Sequence, residues 1–204
     1  MKVRLKTLLD KPRGGAWRSS VRGVNCPVKS GKQPSGAMRI KLKPEICYVA
    51  GIYSKGDSSS SKIELRTESS AVEERFIEIA IKSLGILPER VIAEGTRKRN
   101  IYFYHSKMAK QLRYIISNET RLFKKRDANA ASFVAGMFDA AGRVSNGMLS
   151  IEGLTGSDQV MLENLGIYTE GKRIRNISSF ITLIHGFSVL LEHIQLPGNE
   201  RDPH

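Results

Sequence analysis

Two nine-residue stretches, VAGIYSKGD at 49–57 and VAGMFDAAG at 134–142, lie 85 residues apart and open the same way, Val-Ala-Gly-apolar-aromatic. The segments after them also run in one order. Ile63 to Thr67 alternates like a strand, as does Leu149 to Gly153. A helix-period stretch comes next, ending Ser83-Leu84-Gly85-Ile86 in one copy and Asn164-Leu165-Gly166-Ile167 in the other. Two strand-like runs succeed it, with Ile101 to His105 matching Ile181 to His185. A closing helix then carries Leu112, Ile115 and Ile116, or Val189, Leu190, Leu191 and Ile194. Self-similarity at a fixed period decides architecture before any local signal does. Two copies of about 80 residues predict an α+β fold with pseudo-twofold symmetry, since solenoids need more and shorter units.

The small residues say how the copies meet. Ala50-Gly51 and Ala135-Gly136 place little bulk on one face of each helix, which suits a seam closer than the usual 8–10 Å between axes. Ile46, Val49, Ile52 and Tyr53, and Phe133, Val134, Met137 and Phe138, supply the rest of an expected buried stripe.

The second stretch closely resembles the signature motif of the LAGLIDADG homing endonucleases, and the first does so less closely. The resemblance runs from residue 45 to about 196. It implies a duplicated LAGLIDADG-type fold, two helix–strands–helix–strands–helix repeats at 45–117 and 130–197. A basic linker at 118–129 joins them, with an extension at 1–44 and a short tail at 198–204. In that family the acid at the motif's eighth position holds the divalent ions that cut DNA. Here Gly56 and Ala141 stand there. The expectation is a scaffold without cutting chemistry: no catalytic residue, no metal and no cofactor. Asp139 holds the sixth position, where the family's acid is structural, and Ser54 takes that place in the first copy. Asp57 lies one residue past the catalytic position, and such a step turns a side chain by about 100°. A site rebuilt on Asp57 or Glu152 is the remaining nuclease alternative.

Charge is concentrated at one end. Residues 1–44 hold twelve basic groups, Lys2, Arg4, Lys6, Lys11, Arg13, Arg18, Arg22, Lys29, Lys32, Arg39, Lys41 and Lys43, against the single acid Asp10. That segment therefore carries +11 of the chain's +13. Interspersed glycines and prolines, with Trp17 as the one aromatic, leave too little apolar surface to offset ordering entropy. Singly spaced cations suit an extended strand threaded between phosphates. The segment looks like the basic extensions with which ribosomal proteins enter folded RNA. A solvated tail and a targeting peptide are the alternatives, and the prolines and glycines argue against the amphipathic helix a targeting peptide needs.

Two further basic clusters fall at matching places, Arg97-Lys98-Arg99 and Lys172-Arg173 with Arg175. Both are expected at hairpin turns, where phosphate contacts position a protein without reading sequence. Arg121, Lys124, Lys125 and Arg126 mark the linker, with Leu122 and Phe123 expected to pack inward. Tyr102 and Tyr104 alternate with Phe103 in a strand, a pattern that serves packing first and base stacking second. His105 and His185, like Cys26 and Cys47, lack metal-ligand spacing and read as structural. No disulfide is indicated, which fits a reducing compartment.

No apolar run approaches the roughly 20 residues a bilayer crossing needs, and no secretory signal is visible. The expectation is a cytoplasmic monomer whose two repeats make its own pseudo-dimer. Its expected role is non-catalytic RNA binding, with ribosomal RNA and neighbouring ribosomal proteins as partners. A DNA-binding regulator or an intron-splicing maturase is the alternative, and an active nuclease a more distant one.

Overall fold

The computed structural model describes residues 2–5, 38–57, 61–145 and 147–192, with the backbone alone for residues 2–5 and 38–41. The chain divides into two compact units, Met1–Lys41 and Leu42–His204. In the first, β1 (Lys2–Leu5) pairs antiparallel with β2 (Met38–Lys41). The two ends of the extension form a ladder, with Lys2 opposite Lys41 and Arg4 opposite Arg39. Lys6, Lys11, Arg13, Trp17, Arg18, Arg22, Lys29 and Lys32 lie outside the described residues.

The second unit opens with α1 (Pro44–Ser54), started by a proline that needs no N–H at the first helical position. Next come β3 (Lys62–Thr67), α2 (Ser70–Lys82), β4 (Ile92–Glu94), β5 (Arg99–Tyr104) and α3 (Ser106–Ile116). The linker holds the short α4 (Glu119–Leu122). The second copy runs α5 (Ala128–Ala141), β6 (Gly142–Ser145), β7 (Met148–Ile151), α6 (Gly156–Asn164), β8 (Thr169–Glu170), β9 (Arg173–Ile174), α7 (Ile177–Ile184) and α8 (Val189–Glu192). Among the described residues no helix is long and apolar enough to cross a membrane.

The motif helices α1 and α5 make the seam of this unit. A Cβ on Gly51 would lie 2.1 Å from the carbonyl oxygen of Phe133, and one on Gly136 would lie 2.1 Å from that of Tyr48. Tyr48 and Phe133 each precede the Val-Ala-Gly run by one residue, so the two contacts are the same contact seen from both sides. Backbone thus packs on backbone. Ile46, expected in the buried stripe, is only half-buried, but beyond it burial exceeds the prediction: Cys47 to Tyr53 and Ala130 to Asp139 are buried without a break, as in a helix enclosed on all sides.

Antiparallel sheets flank the seam in the orders β3–β5–β4 and β6–β7–β9–β8. Ile63, Leu65, Ile101 and Phe103 bury the inner face of the first, and Leu149, Ile151 and Ile174 that of the second. The Leu-Gly-Ile ends of α2 and α6 agree closely. Gly85 and Gly166 both adopt φ of +68°, the left-handed turn that releases a helix at little cost for glycine. Ile86 and Ile167 then bury themselves behind it.

One expected match fails. Ile181 to His185 is helical within α7, with Phe180, Leu183 and Ile184 buried at helical spacing. The counterpart of β5 is β9, cut to two residues. His105 and His185 are therefore not equivalent: Nδ1 of His105 accepts from the Met108 N–H at 3.1 Å to cap α3, whereas His185 ends α7. The closing helix expected from Val189 is described only as far as Glu192, and Ile194 lies outside the described residues.

Replacing either seam glycine by alanine forces the helices apart. Gly51→Ala and Gly136→Ala should each lower unfolding free energy by about 3 kcal/mol in urea titrations, as overpacked cores do. Gly156→Ala, with nothing within 4 Å of its added carbon, should leave stability within about 0.5 kcal/mol of the parent.

Candidate nucleic-acid interface

Both motif helices end at one open cleft of about 230 Å³, lined by Ile52, Lys55, Gly56, Asp57, Glu64 and Leu65 of the first copy and Ala140 of the second, with Arg66 at its edge. The helix ends fix its floor, because the glycine seam lets them converge. Asp57 does line it, and so does Glu64, a residue that no sequence motif singles out. Glu64 projects from β3 yet is only 7% exposed, with Lys62 at 2.6 Å and Arg66 at 3.2 Å from its carboxylate oxygens. Lys55, at the motif's seventh position, also lines the cleft, and its charge is taken up there. Its Nζ donates to Asp158 at 2.8 Å and to the Gly153 carbonyl at 3.1 Å.

The divalent ions of the LAGLIDADG enzymes need carboxylates converging on ions about 3.5–4 Å apart. The residues here do not fit that group. Gly56 and Ala141 offer no side-chain oxygen, and the Glu64 carboxylate is already held by two cations. Glu152 does not line the cleft. It binds Lys172 at 2.9 Å and faces Arg143 at 3.6 Å, and the Lys172 hydrogen bond lowers its pKa. Among the described residues, no group of three or more His, Cys, Asp and Glu could hold an ion.

Asp139, the sixth-position acid of the second motif, has a structural post. It accepts from the Tyr48 hydroxyl at 2.7 Å, the Ser188 hydroxyl at 2.5 Å, and the N–H groups of Val189 and Leu190 at 3.0 and 3.1 Å. Burial raises its pKa, and these four donors oppose the rise. Burial, together with the Asp139 carboxylate, raises the Tyr48 phenol well above its ordinary value. Ser54, its counterpart, bonds the Gly51 carbonyl of its own helix at 2.7 Å. Cys47 is a buried free thiol pushed up to about 12 by burial, which makes it inert.

The linker joins this centre from the side. Glu119 of α4 is buried near Lys55 and Asp158, and burial pushes its carboxyl up to about 7, with the Asp158 charge adding to the rise. Asp158 also closes a capping box with Thr155 at the start of α6. That Thr-x-x-Asp spacing is the one sequence signal for this cluster. Phe123 is buried against Phe133, with ring centroids 4.7 Å apart, while Leu122 is half-buried. Arg121, Lys124, Lys125 and Arg126 are exposed, and Arg126 Nε donates to the Leu165 carbonyl at 2.6 Å.

The basic clusters occupy equivalent hairpins. Arg97 and Lys98 are exposed between β4 and β5, while Arg99 pairs with Glu73 of α2 at 3.1 Å. Lys172 lies between β8 and β9, Arg173 is exposed on β9, and Arg175 pairs with Glu170 at 2.9 Å. Lys43 is exposed ahead of α1. The ion pairs of Lys172 and Arg175 are solvent-exposed and so contribute little; a phosphate can exchange for either carboxylate. Tyr102 and Tyr104 point outward from β5 and Phe103 inward, so the aromatic run belongs to two surfaces.

Ionising Glu119 is harder in the folded protein than in the unfolded chain. Its stabilising contribution is therefore full below pH 4.5 and is lost as pH rises through about 7. Glu119→Gln should flatten the decline in melting temperature across that interval and melt above the parent at pH beyond 7. Thermal unfolding monitored by circular dichroism at stepped pH checks this.

No family profile matches the sequence, and no curated protein does. Solved structures do match. The homing endonuclease I-DmoI in complex with DNA and Mn aligns at 13% identity with a TM-score of 0.52, over 71% of this chain and 97% of that one. I-DmoI in complex with DNA and Ca aligns at 14% identity and 0.51, over 72% and 91%. Mesophilic variants of the same enzyme align at 14% and 0.51, over 69% and 94%. A motif helix and an antiparallel sheet, each built twice along one chain and joined at a glycine-matched seam, give this protein the fold of the homing endonuclease I-DmoI, the architecture that its LAGLIDADG-like motifs resemble.

Proposed function

We propose that this chain is a non-cleaving RNA-binding protein on a homing-endonuclease fold, a ribosomal or ribosome-associated component anchored in ribosomal RNA by residues 1–44. One observation carries the reading: a fold used elsewhere to hold nucleic acid keeps its seam and sheets, while Gly56 and Ala141 stand where cutting needs acids. The charge of the extension selects the partner. Twelve cations against one acid exceed what a solvated tail needs. The β1–β2 ladder sets residues of like charge opposite each other, Lys2 with Lys41 and Arg4 with Arg39, an arrangement that a polyanion relieves. Lys6, Lys11, Arg13, Trp17, Arg18, Arg22, Lys29, Lys32, Arg39, Lys41 and Lys43 extend the same contact, and the hairpin cations of the core add to it.

Sucrose-gradient sedimentation of a native lysate tests the proposal. The full chain is expected to travel with one ribosomal subunit through a moderate salt wash, and a chain lacking residues 1–44 to remain at the top. Equal sedimentation of both would assign the anchor to the core, and a full chain found only at the top would remove the ribosomal reading.

A second reading is DNA binding, favoured by the DNA complexes among the similar I-DmoI structures. It requires a selected duplex to bind about 10³-fold more tightly than random DNA. In either case neither Mg²⁺ nor Mn²⁺ should support nicking of plasmid DNA; nicking that disappears in Asp57→Asn would restore a catalytic role to the cleft.

A further inference from the structure

The two most exposed aromatic rings of the core are Tyr104, 62% exposed, and Tyr168, 60% exposed. Tyr104 lies on the outer face of the first sheet, and Tyr168 at the edge of the second. Tyr104 ends β5, opposite Lys62. Tyr168 precedes β8, and its carbonyl accepts from the Arg175 N–H at 2.9 Å, so those two residues are cross-strand neighbours. Tyr48 and Tyr53 of the same chain are almost fully buried. The fold gains nothing from leaving two large rings in water.

Their surroundings are arranged. Tyr102 is fixed on both sides: its hydroxyl donates to Glu94 at 2.8 Å, and Lys62 Nζ lies 4.2 Å from its ring centroid. It meets Tyr104 edge to face, centroids 5.9 Å apart at 85°, so Tyr104 is braced while most of its surface stays open to solvent. The carboxylates of this face are engaged, Glu64 by Lys62 and Arg66, Glu94 by Tyr102. On the second sheet Arg143, Ser150, Arg173 and Glu170 form one cross-strand row. Arg175 comes next to that row, so cations outnumber acids beside Tyr168.

Flat rings interleaved with cations match one ligand chemistry, a base with its phosphate. A base inside a duplex is covered above and below by its neighbours and cannot meet such a ring; an unpaired base can. We propose that the outer face of the first sheet and the edge of the second hold unpaired nucleotides of an RNA, one base stacked on Tyr104 and another on Tyr168. Lys62 and Arg66 flank the first, and Arg173 and Arg175 the second, as phosphate contacts. This deepens the RNA-binding reading above and rests on it: the substrate is looped or single-stranded RNA, held by stacking instead of by groove contacts.

Fluorescence anisotropy of the full chain, titrated onto a mixed-sequence single-stranded RNA and onto a blunt RNA duplex of the same length, tests it. Tyr104→Ala and Tyr168→Ala should each weaken single-strand binding about 5- to 100-fold, the range found when a stacking aromatic is removed, and leave duplex binding unchanged. Tyr104→Phe keeps the ring and should bind as the parent does. Both rings are exposed, so melting temperatures should stay at the parent value, separating lost stacking from lost folding. Alanine variants that bind single strands as tightly as the parent overturn the platform and leave the RNA-binding reading standing. A parent that binds neither RNA overturns both.

Discussion

Everything in the core hangs on a contact between two glycines and two carbonyls. Gly51 lies against the Phe133 carbonyl and Gly136 against that of Tyr48, and neither position has room for a single further carbon. Close approach of α1 and α5 buries both helices on all sides and brings their C-terminal ends to a common point. Each sheet then packs its apolar rows, Ile63, Leu65, Ile101 and Phe103 or Leu149, Ile151 and Ile174, around that pair. The cleft is where it is because the helices end there.

Charged side chains around that centre are held in pairs. Gly56 and Ala141 stand at the eighth positions of the two motifs, and three of the charged residues near them are partnered. Lys55 is committed to Asp158, Glu64 to Lys62 and Arg66, and Asp139 to four donors. A buried charge pair is stabilising only when each member is fully partnered, and Lys55 with Asp158 meets that condition through Gly153 and Thr155. Such a network keeps the arrangement of the motif ends fixed.

Much of this is legible in the residues. The motif helices, the strands after them and the Leu-Gly-Ile stops can be found because each depends on a small residue that local sequence displays. Ile181 to Ile184 cannot be settled that way. Four consecutive residues, Ile-Thr-Leu-Ile, satisfy both the strand and the helix period, and only their burial beside Phe180 decides for the helix. Lys55 and Asp158 stand 103 residues apart, and neither carries a mark that names the other. Glu64 is hidden for another reason: in an alternating strand it belongs to the solvent side, and two neighbouring cations, not an apolar shell, make its burial tolerable. Tyr102 and Tyr104 are visible as strand residues, but the face they occupy is set by the register with Lys62 and Glu64.

The bonds to Asp139 have a consequence for synthesis. Two of its partners on the backbone, Val189 and Leu190, and a third in the Ser188 hydroxyl, follow it by about 50 residues along the chain. A chain released before them has already closed its helix pair around a carboxylate with one donor left, that of Tyr48. An uncompensated buried charge is among the costliest defects a small fold can carry. A chain interrupted between Asp139 and Ser188 would carry that defect at the seam of its two motif helices.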